Sequence, residues 1–167
     1  MRLRRVTWTG EDGGAELQAR PRDADVDGGG PPTDGSTTVE QTAPRVLVAD
    51  DEDDIRGLVR VAVRRAGCTV VAEVADGASA LAAAREQVPD LAVLDVSMPG
   101  ATGLEVCAAL RAEPATAGVR VLLLSAGASA EDVARGLAAG ADGYLAKPFT
   151  VAGLVERVRE LTARVRA

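Results

Sequence analysis

From residue 44 onward, short apolar runs alternate with longer amphipathic segments. The amphipathic segments carry apolar residues every three or four positions, as helices packed on one face do, and they span residues 53–66, 77–87, 103–112, 129–139 and 150–165. The short runs have the length and the Val and Leu content of buried strands: VLVA (46–49), TVVAEV (69–74), LAVL (91–94), VRVLLL (119–124) and GYLA (143–146). The pattern predicts five consecutive β–α units.

Strands that are apolar on both faces and joined by helices run parallel, with right-handed connections. The sequence therefore predicts an α/β fold with a doubly wound, five-stranded parallel sheet in the order 2-1-3-4-5. In that order strands one and three are neighbours, and ligands bind in the crevice at the carboxyl ends of the strands. The residues that follow each strand are therefore the candidates for a functional site.

Residues 1–43 have a different composition. They are rich in Gly, Pro, Asp and Thr and show neither helical nor strand periodicity, so they cannot bury enough apolar surface to offset the entropy of ordering. We predict a disordered N-terminal extension over residues 1–43 and one domain over residues 44–167. Because no apolar stretch suits a signal peptide or a membrane span, we expect a soluble, cytoplasmic protein without membrane insertion.

The composition argues against several classes of function. The chain is 47% hydrophobic but only 2% aromatic, which favours a core of Val, Leu and Ala. Its formal net charge of -6 argues against a nucleic-acid-binding surface, which needs clustered cations. Histidine is absent, and Cys68 and Cys107 form no metal-binding motif. We therefore expect two buried cysteines and no zinc site.

Polar residues follow four of the five apolar runs: Asp50 and Asp51 after the first, Asp95 after the third, Ser125 after the fourth and Lys147 after the fifth. Three carboxylates in one crevice repel each other unless they share a cation, and an oxygen-only set suits Mg²⁺. The acids alone would equally fit the capping of a helix and a turn. Lys147 favours a site, because it is the only lysine in a chain rich in arginine, and a compact ammonium suits a phosphate or carboxylate oxygen.

Together these groups indicate phosphoryl transfer, in which positioning and charge neutralisation do most of the catalysis. Asp95 is the predicted nucleophile, which attacks phosphorus to form an aspartyl phosphate. The Ser125 hydroxyl can donate to an anionic oxygen, although a serine there would equally serve as a helix N-cap. Glu52, Asp53 and Asp54 fall in the first turn of a helix, where acids are favoured, and need no other explanation.

These residues resemble the receiver domain of two-component response regulators, and the resemblance covers residues 44–167. The matching segments are VLVADDEDDIR with the acidic pair, PDLAVLDVSMPGATGLEV with the phospho-acceptor, VRVLLLSAGAS with the hydroxyl and GADGYLAKPF with the lysine. The resemblance implies a flavodoxin-like (βα)5 fold and phosphorylation of Asp95. It also implies a signalling protein that catalyses only its own phosphorylation and dephosphorylation, not an enzyme acting on other substrates.

The resemblance assigns the ligands of the cation and the groups that respond to phosphorylation. Asp51, Asp95 and the backbone carbonyl of Ser97 would bind Mg²⁺ directly, and Asp50 mostly through water.

Lys147 would hold the phosphoryl group, and Ser125 would move to bond it. Tyr144 would be the switch aromatic that turns inward with that hydroxyl, although ordinary packing would also explain a tyrosine there. The peptide between Lys147 and Pro148 is expected to be cis.

A chain without histidine cannot be the histidine-bearing phosphodonor, so the expected partner is a histidine kinase or a histidine phosphotransfer protein. Because the sequence ends at Ala167, shortly after the fifth helix, we expect a stand-alone receiver. Such a receiver would present a changed face to a downstream protein target, without direct contact to nucleic acid. Thr102 and Gly127 depart from the family pattern and leave the lifetime of the phosphorylated state open.

Two other functions stay open on the sequence. A phosphatase of the haloacid dehalogenase kind also uses a strand-end aspartate and Mg²⁺, but it needs an acid two residues after the nucleophile, where this chain has Ser97. A pseudo-receiver would keep the fold as a binding module without being phosphorylated. The complete set of acids, with Ser125 and Lys147, argues against that alternative.

Overall fold

The computed structural model describes residues 42–163, and within them all ten predicted elements are present in the predicted order. The strands are β1 (Arg45–Ala49), β2 (Thr69–Val74), β3 (Leu91–Asp95), β4 (Arg120–Ser125) and β5 (Gly143–Ala146). The helices are α1 (Asp53–Arg65), α2 (Gly77–Gln87), α3 (Gly103–Ala112), α4 (Ala130–Ala138) and α5 (Val151–Ala163). The predicted extension lies outside the described residues except for positions 42 and 43, and so does the predicted end of the last helix at residue 165.

The five strands pair in parallel in the order β2-β1-β3-β4-β5, which confirms the predicted topology. The chain moves outward from β1 to β2 and then crosses back to β3 on the other side of β1. The carboxyl ends of β1 and β3 therefore flank the crevice in which a sheet of this kind binds its ligands.

Alternate residues along each strand face opposite sides of the sheet, so two cores form. On one face, Val46 and Val48 of β1 pack with Val59 of α1 and Leu154 of α5, all fully buried. On the other face, Leu47 belongs to a second cluster that includes the buried apolar side chains of α2 and α3. With both faces covered by helices, the carboxyl edge is the part of the sheet that can receive a ligand.

Gly103 allows α3 to begin directly against the end of β3. A β-carbon at this position would lie 2.4 Å from the backbone oxygen of Asp95, far inside van der Waals contact. In front of it, Thr102 caps α3 in a capping box, in which its hydroxyl accepts from the Glu105 amide and the Glu105 carboxylate accepts from the Thr102 amide. The threonine that departs from the family pattern is thus explained by helix capping.

The two cysteines are buried, as predicted. Burial raises the pKa of the Cys107 thiol to about 11, so this thiol stays protonated at neutral pH. Across residues 42–163, the structure contains no helix that has both the length and the apolar character needed to cross a bilayer.

Candidate functional site

The carboxyl ends of β1, β3, β4 and β5 lie in register, so the polar residues at these ends form one row. Ala49 pairs with Leu94 between β1 and β3, which places the residues that follow them side by side. The row contains Asp50, Asp95, Ser125 and Lys147. Parallel pairing therefore brings together groups that lie up to 97 positions apart in the sequence.

Lys147 contacts two buried carboxylates. Its ammonium nitrogen Nζ lies 3.1 Å from Oδ2 of Asp50 and 3.3 Å from Oδ2 of Asp95. The Glu52 carboxylate is 3.9 Å away, at the rim of the site. Burial alone lowers the pKa of Lys147, but the hydrogen bond to Asp50 and the charge of Asp95 outweigh it and raise the pKa above the usual value. The ammonium therefore stays charged at neutral pH.

The main chain on either side of Lys147 is also fixed at the site. The Lys147 amide donates to the Ser125 carbonyl at 2.7 Å, which ties the end of β5 to the end of β4. The peptide between Lys147 and Pro148 is cis.

Asp50 is fully buried, and each of its polar groups has a partner. Its amide donates to the Val74 carbonyl at 3.1 Å, and its own carbonyl accepts from Nη1 of Arg56 at 3.0 Å. Its Oδ1 accepts from the Glu52 amide at 2.9 Å, while Oδ2 accepts from Lys147. The bond to the Glu52 amide closes a turn in front of α1 and does not cap the helix, because the N-cap of α1 is Glu52, which has no side-chain cap hydrogen bond. The capping alternative from the sequence is therefore wrong for Asp50.

Asp95 ends β3 with only 3% of its surface exposed. Burial and the charge of Asp50 raise the pKa of Asp95 to about 6, against opposing contributions from Lys147 and from the Ser97 amide, which donates to Oδ1 at 3.3 Å. When the surroundings disfavour the charged form of a carboxylate, a bound cation stabilises it. Formation of an acyl phosphate also relieves the cost, because the carboxyl group then no longer carries its own charge. Asp95 is therefore the most strongly perturbed acid described at this edge.

Three carboxylates of the β1–α1 segment could share a cation. Oxygens of Asp50, Asp51 and Glu52 lie within 4.8 Å of one another, and Asp51 and Glu52 are exposed. This grouping includes Glu52, which the sequence analysis explains by the helix terminus alone. Asp95 is outside the grouping, but it contacts Lys147, which also contacts Asp50. An all-carboxylate set of this kind fits Mg²⁺ or another hard cation and does not suit zinc or copper.

Ser125 and Tyr144 lie beside the row of charges, around one small cavity. The Ser125 hydroxyl accepts from the Gly127 amide at 3.1 Å, and the Tyr144 hydroxyl donates to the Gly127 carbonyl. The two side chains line a cavity of about 70 Å³, together with residues of α3 and α4. The N-cap of α4 is Ser129 and not Ser125, so the capping alternative for Ser125 is wrong.

The Tyr144 ring packs closely on α4. A β-carbon at Gly136 would lie 3.0 Å from the ring, so the glycine leaves the room that the ring occupies. Tyr144 therefore takes part in core packing, and its hydroxyl also reaches the loop that follows Ser125.

Two residues near the site were not identified as functional candidates from the sequence. Glu52 approaches both Lys147 and the carboxylates before it, and Arg56 binds the Asp50 carbonyl. Both contacts depend on how the β1–α1 loop folds. The one signal in the sequence is a cation at residue 56, in the first turns of a helix, where the helix dipole disfavours positive charge.

Comparison with known proteins identifies one family over most of the chain. The family model described as the response regulator receiver domain matches residues 46–159. The transcriptional regulatory protein PrrA of Mycobacterium tuberculosis is 47% identical over 123 residues, which are 74% of this chain and 52% of PrrA. The DNA-binding response regulator MtrA of Mycolicibacterium smegmatis is 42% identical over 115 residues, covering 69% of this chain and 49% of MtrA. The chain thus spans about half the length of these relatives.

A solved structure matches the fold as well as the sequence. The chemotaxis response regulator CheY4 of Vibrio cholerae superposes with a TM-score of 0.67 at 35% identity, over 72% of this chain and 99% of the CheY4 chain. The matched part is therefore a whole receiver fold.

Proposed function

The chain belongs to the response regulator receiver domain family, and on that premise we propose that it is a phosphorylation-controlled switch of a two-component signalling system. In this proposal Asp95 accepts a phosphoryl group from a partner protein. Phosphorylation then shifts an equilibrium between two conformations, and the shift changes the affinity for a downstream protein.

The observation that carries the proposal is the contact of Lys147 with both Asp50 and Asp95. In the transfer, an Asp95 oxygen forms a bond to phosphorus while the bond from phosphorus to the donor's leaving group breaks. The incoming phosphoryl oxygens add negative charge to a pocket that already holds two buried acids. Lys147 offsets part of that charge and, at 3.3 Å from Asp95, is placed to bind a phosphoryl oxygen.

We propose Mg²⁺ as the cofactor, because the carboxylates at this edge outnumber the single ammonium. Asp51, Asp95 and the backbone carbonyl of Ser97 would hold it directly, and Asp50 through water. The Glu52 carboxylate, which lies close to that of Asp51, adds to the negative charge around the ion. When bound, Mg²⁺ would neutralise part of the charge of the acids and of the phosphoryl oxygens.

Ser125 and Tyr144 are the proposed conformational switch. The Ser125 hydroxyl would leave the Gly127 amide, its partner at 3.1 Å, to donate to a phosphoryl oxygen on Asp95. Because the Tyr144 hydroxyl is bonded to the Gly127 carbonyl, movement of this loop would be passed to β5 and α4. The surface formed by α4, β5 and α5 is the proposed output face.

The proposed partners are proteins. A histidine kinase or a histidine phosphotransfer protein in the cytoplasm would donate the phosphoryl group, and a downstream protein target would bind the output face. MtrA is a DNA-binding response regulator, but this chain matches only about half of its length. The net charge of -6 supports protein partners, not nucleic acid, for this chain.

Intact-mass measurement after incubation with Mg²⁺ and acetyl phosphate tests the proposal. The protein is expected to gain the mass of one phosphoryl group, and the Asp95→Asn variant none. A gain of the same size on Asp95→Asn would show that another residue accepts the phosphoryl group.

The two alternatives predict different results in the same assay. A pseudo-receiver would gain no mass while still binding its partner regardless of the phosphodonor. Sustained turnover of a phosphomonoester would point to a phosphatase. Such an enzyme needs a second acid two residues after the nucleophile, and this chain has Ser97 there.

A further inference from the structure

Arg56 occupies a position in α1 where a cation is unfavourable. It lies at the fourth residue of the helix, behind Asp53 and Asp54, near the positive end of the helix dipole. Acids are favoured there and a cation is not. The position therefore needs another explanation, which its contacts supply.

The guanidinium of Arg56 bridges the end of β1 and the first turn of α1. Its Nη1 donates to the backbone carbonyl of Asp50 at 3.0 Å, and its Nη2 donates to Oδ1 of Asp53 at 2.5 Å. Only 22% of the Arg56 side chain is exposed, whereas 87% of Asp53 is exposed. A planar fork can hold two acceptors in fixed directions at once, which a lysine ammonium cannot reproduce.

The carbonyl that Arg56 binds belongs to the peptide between Asp50 and Asp51. Because a peptide unit is planar, fixing this oxygen also fixes the direction in which the chain enters Asp51. The other polar groups of Asp50 are bonded to Val74, Glu52 and Lys147, so the Asp50 side of the peptide is already fixed. Arg56 completes this arrangement on the side that leads to the exposed Asp51.

We propose that Arg56 is a positioning residue for the cation site, which it serves by directing the Asp51 carboxylate toward those of Asp50 and Glu52. These three carboxylates lie within 4.8 Å of one another. The inference rests on the proposed function, because it concerns the Mg²⁺ that supports phosphorylation of Asp95. Arg56 itself does not touch the cation or the phosphoryl group in this account.

The charge of Arg56 and its geometry have opposite effects on cation binding. As a positive charge near the site, Arg56 repels Mg²⁺, so its removal would tighten binding if only charge mattered. As a positioning group it strengthens binding, so its removal would weaken binding. Arg56→Lys keeps the charge and loses the fork, while Arg56→Gln loses both.

The test is the dissociation constant of Mg²⁺, measured by titration calorimetry on the full chain, for Arg56→Lys, Arg56→Gln and the unaltered protein. We expect Arg56→Lys to raise the dissociation constant about tenfold, the usual cost of removing a group that orients a metal ligand. Arg56→Gln is expected to raise it less, because that change also removes a positive charge that repels the cation. Arg60→Gln is the matched control, because Arg60 lies one turn further along α1 and pairs with Glu73 at 3.2 Å, away from the site. The control is expected to bind Mg²⁺ as the unaltered protein does.

Phosphorylation kinetics separate positioning from a general disturbance of the fold. The rate of labelling by acetyl phosphate is expected to need more Mg²⁺ in Arg56→Lys and to reach the unaltered rate at saturating Mg²⁺. Unfolding temperatures measured in EDTA are expected to fall by no more than about 5 °C in Arg56→Lys and Arg60→Gln, the shift that the loss of about one hydrogen bond produces. A drop in the saturated rate together with a larger fall in the unfolding temperature would mean a structural role and overturn the inference.

Failure of this inference is distinguishable from failure of the proposed function. If the unaltered protein binds Mg²⁺ and is labelled, while Arg56→Lys has the same dissociation constant, Arg56 is not a positioning residue. Tighter binding by Arg56→Gln alone would show that only its charge matters. If the unaltered protein neither binds Mg²⁺ nor is labelled, the proposed function itself is wrong.

Discussion

The two ends of the central sheet each hold a group of half-buried or buried charges, and the two groups are built differently. At the carboxyl edge, one ammonium, that of Lys147, contacts the two acids Asp50 and Asp95. We call these three residues the carboxyl-edge cluster. At the opposite end, where β4 and β5 begin, the amino-edge cluster consists of two cations and one acid: Arg111, Arg120 and Asp142.

The amino-edge cluster has its hydrogen bonds satisfied by the protein. Asp142 accepts from Nη2 of Arg111 at 2.7 Å, from the Val121 amide at 2.9 Å and from Arg120 at 3.4 Å. Arg111 also donates to three backbone carbonyls, those of Ala117, Val119 and Gly140. These contacts tie α3 to the loops before β4 and β5, which is a structural role.

The carboxyl-edge cluster keeps an excess of negative charge. Asp51 and Glu52 add two more carboxylates nearby, and the pKa of Asp95 is raised to about 6 by burial and by the charge of Asp50. Burying acids without enough partners costs stability, so such an arrangement is expected where a ligand completes it. The ratio of cations to acids, and not the presence of ion pairs, separates the candidate site from the structural cluster.

The largest expected effect comes from breaking the amino-edge cluster. Arg111→Met keeps an apolar stem but removes four donated hydrogen bonds, one to Asp142 and three to backbone carbonyls. We expect the free energy of unfolding to fall by about 4 kcal/mol, on the order of 1 kcal/mol for each lost hydrogen bond. Urea denaturation measures this. Labelling of Asp95 by acetyl phosphate is expected to persist in the folded fraction, and its loss would contradict the division between the two edges.

The next effect concerns the pH dependence of the carboxyl-edge cluster. The pKa of Asp95 is about 6 in the folded protein against 3.8 for an ordinary aspartate, so between these values the folded chain binds more protons than the unfolded chain. Stability is therefore lost as pH rises from about 4 to 6, by up to about 3 kcal/mol from this residue.

Asp95→Asn removes this titration and isolates it from all others. In EDTA, the stability of the variant relative to the unaltered protein is expected to be higher at pH 7.5 than at pH 4. Urea denaturation at both pH values gives the comparison. A difference that is the same at the two pH values would mean that Asp95 is not held in an unfavourable charged state.

The smallest expected effect comes from removing Arg120, the weaker of the two cations in the amino-edge cluster. Arg120 contacts Asp142 at 3.4 Å, and Asp142 keeps its bonds to Arg111 and Val121 without it. We expect Arg120→Gln to change the free energy of unfolding by less than about 0.5 kcal/mol, because the pair is long and Asp142 keeps its two shorter hydrogen bonds. Thermal unfolding detects a larger change, which would assign Arg120 an equal share in the cluster.

The fold could be predicted because hydrophobic periodicity reports directly on burial. The ends of the strands could not be predicted in the same way, because they depend on pairing between strands. The fourth strand was expected at residues 119–124 and is Arg120–Ser125, since Ser125 still pairs with Ala146 of β5. The third strand likewise extends to Asp95, which pairs with Leu124.

The candidate site could be predicted only where strand topology determines position. Asp50, Asp95, Ser125 and Lys147 follow strands, and the strand order places them in one row. Arg56 acts through a loop whose shape no periodicity reveals. The Arg111–Asp142 pair joins residues 31 positions apart through a loop contact, so it carried no signal in the sequence either.

The most direct test of the proposed site is a two-dimensional NMR titration of backbone amides, first with Mg²⁺ and then with acetyl phosphate. Mg²⁺ is expected to move the amide signals of Asp51 and Ser97, and acetyl phosphate is then expected to move those of Ser125 and Lys147, while the Asp142 signal stays in place. Unchanged signals at the carboxyl edge after both additions, or equal changes at both edges, would contradict the proposed site.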